Sequence, residues 1–155
     1  MKRLSKYVEA LRLGAVIDSK APAGGAAAGQ TVILPVYETI QVLGLGASSA
    51  SLSAFVNDNV SGQYVIAGVT ATFGTASSSG TLQVEVATGT QATGSGTNQL
   101  TGTVSLAGTA NTPVNGTLIA APTTIAAGSR VNVILGGTLT GLANGAIAIV
   151  LQRVA

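Results

Sequence analysis

The chain has 155 residues, seven Lys or Arg against five Asp or Glu for a formal net charge of +2, and no histidine, cysteine or tryptophan. Those absences exclude imidazole-based acid–base and nucleophilic catalysis, thiolate metal sites and disulfides. With only 8% charged and 3% aromatic residues, against about 25% charge in an ordinary soluble domain, the composition describes one aliphatic-cored domain. Such a domain is suited to fitting against other surfaces in a multi-subunit assembly.

In chain order, residues 1–20 are a basic arm, with Lys2, Arg3, Lys6, Arg12 and Lys20 opposed only by Glu9 and Asp18. Leu4, Tyr7, Val8 and Leu11 recur at helical spacing and Gly14 stands at the C-cap position, which predicts a short amphipathic helix over 3–13. A helix that short is not stable alone in water and has to dock its apolar stripe, on its own body or on a partner. The Met-Lys-Arg start is that of a signal peptide, but Lys6, Glu9 and Arg12 interrupt the apolar region one requires. No run reaches the ~18 apolar residues of a membrane-spanning helix. Residues 21–30, Ala-Pro-Ala-Gly-Gly-Ala-Ala-Ala-Gly-Gln, carry no charge or bulk and read as a linker.

From 31 to 155 the period is two. Strands are predicted at Thr31–Tyr37, where Pro35 implies an edge or a bend, and at Thr39–Leu45, Leu52–Val56, Gln63–Phe73 and Thr81–Val86. More follow at Leu100–Leu106, Thr117–Ala120, Arg130–Leu135, Thr138–Leu142 and Ala146–Val154. In Thr81–Val86, Leu82, Val84 and Val86 point inward and Gln83 and Glu85 outward. Asn115-Gly116 and Asn144-Gly145 are the strongest hairpin signals. Ala146–Val150 is apolar on both faces, so the last strand is central or covered by another subunit. The predicted fold is all-β, an antiparallel β-sandwich of jelly-roll kind.

No catalytic, cofactor or metal site emerges. Glu38, Asp58 and Glu85 are not joined by any spacing and read as solvated carboxylates, and Asn57-Asp58-Asn59 reads as a polar turn. Gly44-Leu45-Gly46-Ala47-Ser48 lacks the spacing and the Lys of a phosphate loop. Phe55 and Phe73 lie in apolar runs and belong to the core, which leaves Tyr37 or Tyr64 as candidates for stacking on a sugar. The body has too few Lys, Arg and aromatic residues for direct nucleic-acid binding.

Tyr64-Val65-Ile66-Ala67-Gly68-Val69, Gly80-Thr81-Leu82-Gln83-Val84-Glu85, Leu106-Ala107-Gly108-Thr109-Ala110-Asn111-Thr112, Ala126-Ala127-Gly128-Ser129-Arg130 and Val150-Leu151-Gln152-Arg153-Val154 form a set. As a set they resemble small β-domains of tailed-bacteriophage structural proteins: capsid decoration, or cement, proteins and head-fibre bases. The family pattern often has an acidic residue before the arginine, where Ser129 stands here.

The resemblance implies a non-enzymatic virion protein without cofactor, made in the host cytoplasm and carried on the outer capsid surface. It would be a homo-oligomer, a trimer, bound to the major capsid protein. In that setting Leu4, Tyr7, Val8 and Leu11 would anchor the docking arm and Lys2, Arg3, Lys6 and Arg12 would steer it to an acidic surface. The alternative implication is a receptor- or glycan-binding module of a head or tail fibre.

Overall fold

A computed structural model describes residues 36–58 and 62–154. The helix, the linker, the docking-arm residues, Pro35 and Asn59 lie outside the described residues. Nine strands follow: β1 Tyr37–Leu45, β2 Leu52–Val56, β3 Tyr64–Thr72, β4 Thr81–Ala87, β5 Thr97–Asn98, β6 Val104–Ser105, β7 Val114–Asn115, β8 Arg130–Gly136 and β9 Gly145–Arg153.

All pairings between these strands are antiparallel. One sheet has the order β1-β9-β3-β7 and the other β2-β8-β4-β5, with β6 also on β4. Among the described strands the first thus pairs with the last, the second with the second-last, and so inward, and β1 to β4 alternate between the two sheets. Inward side chains of both sheets form one core: Ile66, Val69, Ala71, Ile147, Ile149 and Leu151 from the first, Leu82, Val84, Val86, Val131 and Val133 from the second. Phe73 is buried in that core, and Phe55 packs partly buried against it. The sandwich rests on aliphatic packing, as the composition requires.

β9 is central, between β1 and β3, with Ile147, Ile149 and Leu151 buried in the core and Ala146, Ala148 and Val150 half-buried on the outer face. β3 shows what alternation alone cannot. Tyr64 and Ile66 are buried at even positions, but Val69, Ala71 and Phe73 at odd ones, because a register shift between Ile66 and Gly68 inserts one residue against β9. The bulge lets both halves of the strand face the core.

Three predicted strands do not form as such. Of Leu100–Leu106 only Val104–Ser105 is strand, and Thr117–Ala120 contributes a single bridge, Leu118 to Leu100. Pro113, Pro122 and the glycines of this region interrupt any ladder, so its backbone bonds piecemeal: Gln99 N donates to Val84 O at 2.8 Å, Gly116 N to Val69 O at 2.9 Å and Leu106 N to Gly80 O at 2.9 Å. Thr138–Leu142 is a loop held by bonds from Ser79 N to Thr138 O and from Ser78 N to Thr140 O.

Both hairpin expectations are also overturned. Asn115 lies in β7 opposite Thr70, without the positive φ a type I′ turn demands. Asn144 has φ 53°, but Gly145 already begins β9 opposite Leu45, so the connection passes from one sheet to the other. Turn chemistry is locally right there while the strands it joins are not neighbours.

Candidate interaction surface

The polar interior is the least expected part of the body. Glu85, placed outward by alternation, does face away from the core, yet it is 4% exposed. The loop between β4 and β5 folds back over it: Gly94 N donates to Glu85 Oε1 at 2.7 Å and Gly96 N to Oε2 at 2.9 Å. From the neighbouring strand Asn132 Nδ2 donates to Oε1 at 2.8 Å, and Ser53 Oγ on β2 donates to Asn132 Oδ1 at 2.6 Å. Ser53, Asn132 and Glu85 are cross-strand neighbours, so one polar ladder crosses the outer side of this sheet and ends in a clamped loop. Arg130, on the same side of β8, donates through its guanidinium to the Gln91 carbonyl of that loop. The arginine thus meets a backbone carbonyl, with Ser129 beside it in place of an acid.

Asn57 has a similar role. It is fully buried, and its Nδ2 donates to Gly62 O at 2.9 Å and Ile125 O at 3.0 Å, joining two loops at one end of the sandwich. Asn57→Ala would leave two buried carbonyls without that donor, so we expect a loss of about 2 kcal/mol in urea unfolding. An Asn57→Ala protein as stable as the parent would show these bonds to be dispensable.

The carboxylates do not converge. Glu38 and Asp58 are exposed while Glu85 is enclosed in its clamp. Among the described residues no group of three or more potential metal ligands occurs. Of the two stacking candidates, Tyr64 is excluded as an open platform, being 7% exposed and packed edge-on against Phe55 with centroids 6.1 Å apart. Tyr37 is 56% exposed.

Tyr37 belongs to a larger feature. On the outer face of the first sheet, the register aligns Tyr37 with Gln152 and Val65, Thr39 with Val150 and Gly68, Gln41 with Ala148 and Thr70, and Leu43 with Ala146 and Thr72. No side chain in these rows is charged. The β1 members are exposed and the β9 and β3 members half-buried. Charge depletion is the compositional mark of protein–protein interface centres, whereas an ordinary solvated sheet face carries Lys and Glu. Sequence periodicity could place each residue on a face, but the absence of charge over the whole face follows only from the order β1-β9-β3, which joins segments about a hundred residues apart in the chain.

No protein-family model matches the sequence, and no curated protein matches it. Among solved structures, it is similar to a chain of the cyanophage Pam1 capsid asymmetric unit, with a TM-score of 0.42 and 15% identity over 88% of this chain and 93% of that one. It is also similar to a chain of infectious bursal disease virus, Gt strain, with a TM-score of 0.31 and 14% identity over 90% of this chain. In that second case the match spans 42% of the viral chain's length.

Proposed function

We propose that this chain is a non-enzymatic structural protein of a virion, a capsid decoration (cement) protein of jelly-roll type that binds the outer capsid surface and bridges capsid subunits. The observation that carries this reading is the charge-free outer face of β1, β9 and β3, a surface suited to being covered by protein. The strand order supports the jelly roll, an architecture recurrent in viral capsid and lectin domains, and the resemblance of residues 64–154 to phage decoration proteins supplies the virion setting.

In this reading the body makes the contacts of a trimer. Residues 1–20 dock on the major capsid protein through Leu4, Tyr7, Val8 and Leu11, guided by Lys2, Arg3, Lys6 and Arg12 toward acidic surface. Each bridge adds buried area between subunits, and repetition over a shell multiplies modest affinities.

Deleting residues 1–20 is expected to leave a folded body, with unchanged β-type circular dichroism, that no longer sediments with capsids. Full occupancy after the deletion would reject the arm as the docking element. A body that binds no shell, with or without the arm, would reject the decoration role itself. The fibre-module reading keeps one specific support, the exposed ring of Tyr37. It predicts glycan binding that disappears in Tyr37→Ala.

A further inference from the structure

The four sheet edges are not alike. β7 and β5, which end the two sheets on one side, are two residues each, and β2 is five residues with a register shift between Ser53 and Phe55. Short length and bulging are the devices by which sheet proteins keep their edges from pairing with other chains. β1 has neither protection along its length: it runs nine residues, and its one irregularity falls at its end, between Leu43 and Leu45. Among the described residues it pairs with β9 alone. Glu38 is its only charged residue, and it exposes Leu43 at 68% and Tyr37 at 56%. Its inward side chains, Ile40 and Val42, are only partly buried against the core.

We propose that the free edge of β1 pairs antiparallel with β1 of a second copy of this chain, about a twofold axis at Ile40. This inference stands independently of capsid binding. The strand is self-complementary in that register. Tyr37 and Leu43 lie three residues either side of Ile40, so each exposed apolar side chain meets the other type on the partner, Tyr37 against Leu43 and Leu43 against Tyr37. Both are on the outer face, where directly opposed residues touch. Thr39 then faces Gln41 and Glu38 faces Val42.

Charge selects the same arrangement. The two Glu38 carboxylates lie about 14 Å apart along the pair at ~3.4 Å per residue, well beyond the screening length of about 8 Å in physiological salt. Parallel pairing would set them side by side, which is unfavourable. A twofold at Gln41 would oppose Tyr37 to Leu45, whose side chain is already buried in its own core. The product is one continuous sheet, β3-β9-β1 joined to its twofold copy, whose outer face is uncharged across both subunits.

The chain has no cysteine, so cross-linking can test the register on the full-length protein. Tyr37→Cys combined with Leu43→Cys is expected to give disulfide-linked dimers on mild oxidation. Within one strand those positions are about 20 Å apart and cannot bridge. Gln41→Cys alone is expected to stay uncross-linked.

By light scattering the unmodified protein is expected to form even-numbered species, dimers or pairs of trimers. Leu43→Lys, at an exposed position, should weaken that association at least tenfold without altering the circular dichroism. Three results would overturn the proposal: a protein monomeric or trimeric irrespective of Leu43→Lys, cross-linking through Gln41→Cys in preference to the pair, or slow exchange, persisting in dilute monomer, of the β1 amides that do not bond to β9. The last would mean that another segment of the same chain covers the edge.

Discussion

Glu85→Ala is expected to destabilise the body by about 2–4 kcal/mol, because it removes the charged acceptor of three hydrogen bonds, one of them from the buried Asn132 side chain, and charged acceptors contribute about 1.5–3 kcal/mol per hydrogen bond. The donors are the amides of Gly94 and Gly96 and the side chain of Asn132. Gly94 is exposed and Gly96 half-buried, so water can take over part of their bonding and the larger share of the loss falls on Asn132. Asn132 is itself fully buried and tied to Ser53, so a disturbance at Glu85 reaches across the sheet to β2.

Glu85→Gln separates charge and acceptor number from size. It keeps the shape but turns an NH2 group toward a donor, and a loss of about 2 kcal/mol is expected. Urea unfolding measures both, and amide exchange locates them. Residues 88–96 should exchange faster in Glu85→Gln while Val84 and Val133 stay protected. Equal protection of that loop in parent and variant would mean that the clamp does not hold it. A carboxylate so enclosed also has no open side for a substrate, so its substitution should act on stability alone.

The second large effect is expected at Gly137. Its φ is +66°, and a Cβ there would lie 2.2 Å from the carbonyl oxygen of Ser79. Any side chain therefore combines left-handed strain with a backbone collision. Ser79 cannot withdraw freely, because its amide bonds to Thr138 O at 3.1 Å and the adjoining Ser78 amide to Thr140 O at 2.9 Å. Those bonds hold the loop that carries the chain from β8 in one sheet to β9 in the other.

Gly137→Ala should cost about 2–4 kcal/mol and Gly137→Val more, read as a lowered urea midpoint with unchanged m-value. Gly44, whose φ is +75° but whose Cβ would meet nothing within 4 Å, is the control. Gly44→Ala should cost only about 1 kcal/mol, the conformational part of the effect. Equal losses at the two sites would show that the collision at Ser79 is relieved without cost.

Both sites mark the boundary between what local pattern reveals and what it cannot. Alternation located the long strands: β2 falls at Leu52–Val56 as its pattern implies, and β4, β8 and β9 begin or end within a residue or so of their apolar runs. Those strands bury one face of a two-sided surface, and that leaves a period of two in the sequence. In the stretch from 97 to 125 the alternation at Leu100–Leu106 and Thr117–Ala120 misleads, since only Val104–Ser105 and one bridge form there. Its backbone bonds are scattered contacts, among them those to Val84, Val69 and Gly80, whose partners lie in or beside other strands. Glu85 was placed on the correct side of its strand and given the wrong environment, because its cover comes from a loop whose small, polar residues resemble solvated chain.

The sequence by itself determined the kind of molecule: without imidazole or thiol, sparse in charge, with an aliphatic core laid on alternating strands. These follow from side-chain chemistry and burial periodicity, both local properties of the chain. Only the tertiary structure decided that β9 lies between β1 and β3 to make a charge-free face, that β1 is the one long edge among the described residues, and that Glu85 holds a loop. Each of these joins residues far apart in the chain, and a contact between distant segments depends on which strands become neighbours, information that no single segment's composition carries.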